Sequence, residues 1–189
     1  MSTADRERWD ARHAAVGLGT PMPPDGLRGR ESLLPGAGRA LDLACGRGAV
    51  AVWAAQRGLA VDAVDVSPAA VRSGRALAGA VGVRAVEVGE TAAPGEVRFA
   101  VADLDAWRPP EGVYALVVCQ RFRDPALYPA LAAALAPDGL LVVTVLSEVD
   151  DEPGRFRARP GELRTAFGHL DVLADEERNG EATLVARRP

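Results

Sequence analysis

Three aspartates close three apolar segments in turn: Asp42 in "ALDLACGRG", Asp65 in "LAVDAVDVSP" and Asp103 in "EVRFAVADL". Beyond the first, Gly46 and Gly48 form a loop with little side-chain bulk, just ahead of a helix-like run. Backbone amides at such a loop suit a phosphate or a carboxylate equally well. Asp42, just ahead of the turn, argues against a dinucleotide. Asp65 lies 19 residues after Gly46, the usual distance for an acid that accepts hydrogen bonds from ribose hydroxyls. Asp103 is placed to accept from an adenine amino group while the backbone at Leu104 reads the ring edge. Gly46, Gly48 and Ala51 also satisfy a dinucleotide fingerprint, so the loop alone does not choose between cofactors.

The elements that must carry these residues alternate between strand and helix. "RALDLA" (39–44), "LAVDAVDV" (59–66), "EVRFAVADL" (96–104), "VYALVVC" (113–119) and "GLLVVTVL" (139–146) read as buried strands. Helices are expected over 48–57, from Pro68 to about Ala80 with Ser67 as N-cap, over 125–136 and over 159–167. Asn179-Gly180 between two apolar-patterned runs is a hairpin signal. The pattern predicts an α/β fold: a doubly wound, seven-stranded, mostly parallel sheet with an antiparallel C-terminal hairpin strand. Residues 82–95 are expected as an inserted loop, with "VRAVEV" as a short strand the other reading. In doubly wound sheets ligands bind at the carboxyl ends of the strands, which is where the three acids fall.

Composition narrows the chemistry. The 189 residues suit one domain with a full-sized core. All 22 basic residues are arginine, isoleucine is absent and Asn179 is the sole asparagine, a bias that points to a GC-rich bacterial genome. Missing lysine excludes a P-loop lysine, a Schiff base and a Tyr–Lys dehydrogenase pair. Two histidines, His13 and His169, make a histidine metal site unexpected. The net charge of −4 argues against a nucleic-acid surface. Apolar runs are strand-sized, so neither a membrane span nor a signal peptide is expected. Cys45 and Cys119 are expected as free thiols in a reducing cytoplasm.

In "LDLACGRG", "VDAVDVSPAAV", "FAVADL" and "APDGLLVV" the chain resembles the class I S-adenosylmethionine-dependent methyltransferases, over roughly residues 36–146. "ERWDARHA" and "RPGELRTAF…LDVLADEE" are similar to the small bacterial methyltransferases related to the tellurite-resistance and thiopurine methyltransferase group. The resemblance implies S-adenosyl-L-methionine as cofactor. It places Asp42, Ala44, Cys45, Gly46 and Gly48 around the methionine part, Asp65 and Val66 at the ribose, and Asp103 and Leu104 at adenine. Cys119, Gln120 and Arg121 would border the methyl group. Where family members often carry aspartate near the start of the fourth strand, this chain has Tyr114-Ala115.

The partner so implied is a small-molecule methyl acceptor, with no dedicated catalytic residue and no metal. A thiol or reduced metalloid acceptor needs little general-base help, whereas an oxygen or amine acceptor would more often want a base. The fourth strand is not followed by an Asn/Asp-Pro-Pro-Tyr/Phe motif, which weighs against methylation of adenine or glutamine amides. A non-catalytic cofactor-binding protein of the same fold and a nicotinamide-dependent oxidoreductase are the competing classes. Residues 1–30 are expected to form a helical lid or cap, with Trp9 packing inward and Arg12 near the site. Trp53 is expected in the core. Cys45 reads as a packing residue, and His13 and His169 as unremarkable polar positions.

Overall fold

The computed structural model describes residues 3–14, 17–87 and 89–189. Parts of the expected N-terminal lid, residues 1–2 and 15–16, therefore lie outside the described residues. The chain divides into two compact units, one comprising residues up to Pro23 with Gly36–Arg108, the other Pro24–Pro35 with Pro109–Pro189. Nine strands occur among the described residues, two more than the seven expected.

In the first unit, β1 (Arg39–Leu43), β2 (Ala60–Asp65), β3 (Arg84–Val86) and β4 (Glu96–Val101) run parallel in the order β3-β4-β2-β1. α1 (Thr3–Ala14), α2 (Ala49–Ala55) and α3 (Pro68–Ala80) complete it. Every residue of β2 is buried, as expected for a parallel strand covered on both faces. Asp62 is the charge at its middle. Its two oxygens accept from Arg39 at 2.6 Å and Arg98 at 2.7 Å, so the buried carboxylate is paired from both neighbouring strands. Ser67 caps α3 through its hydroxyl, which accepts from Ala70 N–H, and Pro68 follows at the first helical position.

Two expectations change here. Residues 82–95 are not simply an insertion, because Arg84–Val86 pair in parallel with Glu96–Arg98. Arg84 holds that edge by binding Glu96 at 2.7 Å and Glu90 at 3.2 Å. The strand expected over 96–104 stops at Val101, and Asp103 opens a turn instead of ending the strand. The Asp103 carbonyl accepts from Ala106 and Trp107 amides, and its carboxylate accepts from Asp105 N–H.

The second unit holds β5 (Tyr114–Gln120), α4 (Tyr128–Ala134), β6 (Leu135–Ser147), β7 (Arg157–Ala158), α5 (Glu162–Phe167), β8 (Asp171–Arg178) and β9 (Glu181–Arg187). β5, β6 and β7 are parallel, while β9 pairs antiparallel with both β6 and β8. Asn179 and Gly180 have φ of 53° and 74°, the left-handed pair that a two-residue hairpin requires. Arg123 grips Glu162 through Nε and Nη2, and Tyr128 donates to the same carboxylate at 2.9 Å, tying the chain after β5 to α5. The strands are mostly parallel, with helices between them and antiparallel strands at the C-terminal end, as expected.

Close packing against Phe99 sets the seat of the glycine loop. A Cβ on Gly74 of α3 would lie 2.5 Å from the Phe99 ring, and one on Gly48 would lie 2.8 Å from it. Gly79, on the same helix, has nothing within 4 Å of its Cβ position. Helix propensity alone favours alanine over glycine by about 1 kcal/mol at both sites. Gly79→Ala is therefore expected to stabilise by roughly 0.5–1 kcal/mol, while overpacking makes Gly74→Ala destabilise by about 1–3 kcal/mol. Urea unfolding of the two variants checks this, and a stabilising Gly74→Ala would contradict the packing.

Candidate functional site

Past the end of β1 the ladder continues for one bond, from Cys45 N–H to Val64 C=O at 3.1 Å, and the chain then turns away. Ala44, Gly46 and Gly48 take φ of 55°, 52° and 74°. At Ala44 this left-handed backbone costs an alanine about 1–2 kcal/mol, strain stored where the loop leaves the sheet. Gly48 precedes α2, with its amide bonded back to Cys45 C=O at 2.9 Å. Its lack of a side chain serves the packing on Phe99 as well as the loop.

Asp65 joins the loop to the next element. One oxygen accepts from Gly46 N–H at 2.8 Å and the other from Ser67 N–H at 2.9 Å. An ionised carboxylate offers about four lone-pair sites, so two further hydrogen bonds remain open to it. Val66 is buried next to it, 7 % exposed.

Asp42 lies behind the loop, 4 % exposed. Its carboxylate accepts from Ala51 N–H of α2, but Oδ2 has no hydrogen-bond partner among the described residues. Burial pushes the Asp42 carboxyl up to about 7, the Ala51 amide opposes this, and the charge of Asp65 adds to it. A buried polar atom without a partner is costly. Burial, with the charges of Asp42 and Asp65, pushes the Cys45 thiol well above its ordinary range. Cys45 is thereby a neutral, poorly nucleophilic side chain at neutral pH. Both cysteines are free thiols.

The remaining expected positions fall in both units. Asp103 is exposed in its turn two residues beyond β4, and Leu104 next to it is 1 % exposed. Cys119 and Gln120 belong to the second unit. There the Cys119 thiol faces Phe122 C=O at 3.5 Å, and the Gln120 side chain accepts from Asp25 N–H. Arg121, just past β5, is exposed with a left-handed φ of 57°.

Sequence reasoning missed His13. Its Cε1 lies 3.5 Å from the point where a Cβ on Gly46 would sit, and it stacks on Trp9 with centroids 5.9 Å apart. Burial lowers its pKa, opposed by the charge of Asp65. Trp9 is half-buried, and exposed Arg12 lies over the Trp9 ring at 5.3 Å. The available sequence signal was Trp9 and His13 one turn apart on an otherwise charged helix.

A family model described as a methyltransferase domain matches residues 40–139, more than half of the chain and all of the loop–acid arrangement just described. The chain belongs to this methyltransferase family. S-adenosyl-L-methionine is the cofactor that goes with it, and the residues fit: a glycine cradle, an acid with spare acceptor sites at the end of β2, and an orphaned carboxylate oxygen behind the loop. No curated protein matches the sequence. Among solved structures, the chain is similar to an S-adenosylmethionine-dependent methyltransferase from Mesorhizobium loti, at 17 % identity and a TM-score of 0.64 over 84 % of this chain and 95 % of that one. It is similar to TehB from Haemophilus influenzae, at 18 % identity and 0.70 over 87 % and 62 %. It is also similar to a geranyl diphosphate C-methyltransferase from Streptomyces coelicolor A3(2), at 14 % identity and 0.69 over the full length of both chains. Among the described residues no helix is long and apolar enough to cross a membrane.

The environment of Asp42 has a measurable consequence. Its carboxyl titrates near 3.8 when unfolded and about 7 when folded. Between those values the unfolded chain has released a proton that the folded chain keeps, so stability falls as pH rises through that window. Asp42→Asn removes this loss. The variant is expected to gain stability relative to wild type on going from pH 4.5 to pH 8, by on the order of a few kcal/mol. Denaturant melts at the two pH values measure it, and a pH-independent difference would contradict the burial of an unpartnered carboxylate.

Proposed function

We propose that this methyltransferase transfers the methyl group of S-adenosyl-L-methionine to a small molecule bearing a soft nucleophile, such as a thiol or a reduced metalloid. The observation that carries this reading is the unpartnered Oδ2 of buried Asp42 behind the glycine loop that Asp65 braces. Asp65 accepts from the ribose hydroxyls with its two spare acceptor sites, beside Val66. Asp42 serves the methionine end through Oδ2, and Ala44, Cys45, Gly46 and Gly48 line the loop with backbone and small side chains. Asp103 and Leu104 serve the adenine.

The bound sulfonium supplies a methyl group that is already activated. The work left to the protein is alignment, which contributes about 7–11 kcal/mol where a near-attack geometry is enforced. Cys45, kept protonated by burial, takes no nucleophilic part. A thiol or metalloid acceptor is nucleophilic without strong general-base help, which suits a site where Asp42 and Asp65 are engaged in binding.

Calorimetric titration with S-adenosylmethionine, S-adenosylhomocysteine and NAD tests the cofactor, and a panel of thiol, metalloid and phenol acceptors tests the substrate class. Binding of the first two ligands without NAD, followed by turnover of a soft acceptor, is expected. NAD binding without S-adenosylhomocysteine would assign an oxidoreductase, and turnover confined to phenols would overturn the soft-acceptor assignment. Asp65→Ala is expected to lose about tenfold or more in S-adenosylhomocysteine affinity with an unchanged circular dichroism spectrum. Equal affinity in a folded variant would remove Asp65 from the ribose.

A further inference from the structure

α1 is short and mostly charged, and a 12-residue helix of this kind is marginal alone in water. Its attachment to the start of α3 is specific. Asp10 Oδ1 accepts from Ser67 Oγ at 2.8 Å and from Ala69 N–H at 2.7 Å. The first turn of α3 has amides without intrahelical partners. Ser67 Oγ takes the Ala70 amide, and Asp10, from another helix, takes that of Ala69. An acid is favoured at this helix end. Ser67 also donates its own amide to Asp65, so one residue links Asp10 to the acid that braces the loop.

Asp10 and His13 are three apart and share a face of α1. With α1 held at Asp10, the His13 ring comes to rest over Gly46, its Cε1 3.5 Å from the glycine's Cβ position. Beyond α1 the chain is tied to the same loop twice more, by Arg47 to Gly17 C=O and by Met22 N–H to Ala49 C=O at 3.2 Å.

We propose that Asp10 is a latch that holds α1 on α3 and so keeps His13 as a wall over the glycine loop, retaining the bound cofactor. The proposal rests on the reading of that loop as the seat of S-adenosylmethionine. Asp10 is a positioning residue, acting on the cofactor through His13. The Ala69 amide and the Ser67 hydroxyl hold its carboxyl below the ordinary carboxylate value, so it is charged at neutral pH.

The test is the dissociation rate of S-adenosylhomocysteine from the full chain, measured by chase, alongside tryptic cleavage at Arg12 in the ligand-free protein. Asp10→Ala is expected to release the ligand about tenfold faster or more, and to be cut faster at Arg12. Asp10→Asn keeps an acceptor oxygen and is expected to restore most of the slow release. His13→Ala is expected to speed release, and the Asp10→Ala/His13→Ala double variant to add little beyond the faster single one. Release at the wild-type rate from Asp10→Ala would overturn the latch while leaving the cofactor seat intact. Asp10→Asn as fast as Asp10→Ala would overturn the hydrogen-bonded latch. A wild-type protein that binds no S-adenosylhomocysteine would overturn the seat and the latch with it.

Discussion

The Asp65 carboxylate is the joint of the site. By accepting from Gly46 N–H and Ser67 N–H it fixes two loops, each leaving the carboxyl end of a different strand, in one relation. Amide bonds to a charged acceptor are the stronger kind, and in a 6 % exposed position water competes poorly for them. The loop after β1 thus holds its left-handed turns at Ala44 and Gly46, and α3 starts where Ser67 can cap it. The same carboxylate retains acceptor capacity beyond these two bonds. One side chain therefore both builds the loop and presents it.

Packing supplies the second constraint. Phe99, 2 % exposed on β4, fills the space that side chains at positions 48 and 74 would need. α2 and α3 can approach this closely because both positions are glycine. The glycine at 48 thus answers to the core, and that at 46 to the left-handed backbone of the loop. Asp42 completes the arrangement from below. It is held by the α2 amide of Ala51 at one oxygen and left with an unused acceptor at the other. The strain at Ala44 and the orphan at Asp42 both fall at this loop, and such costs cluster at functional sites.

Where local rules decide, the sequence was readable. Ser67-Pro68 starts α3 because cap chemistry and a fixed proline φ act within a few residues. Asn179-Gly180 turns the hairpin for a similarly local reason. β2, buried on both faces, announced itself as an apolar run. β3 was only the second reading of residues 82–95 because three residues carry no usable periodicity, and its strand character comes from pairing with β4. Asp103 was read as a strand end, but an aspartate that bonds the amide two residues on prefers a turn. Asp10 and His13 escaped notice because their partners lie far away in sequence, and spacing along α1 shows a shared face without saying what it meets. Leu146 and Ser147 gain a parallel partner in β7 for the same non-local reason.

The central claim is that the loop braced by Asp65 and backed by Asp42 seats S-adenosylmethionine. A crystal structure of the protein with S-adenosylhomocysteine tests it most directly. The account predicts ribose hydroxyls within hydrogen-bond distance of the Asp65 carboxylate, Gly46 N–H still bound to it, and a donor from the ligand's amino group or a bridging water on Asp42 Oδ2. A ligand bound away from the loop, or one that leaves Asp42 Oδ2 unpartnered and Asp65 untouched, would contradict it.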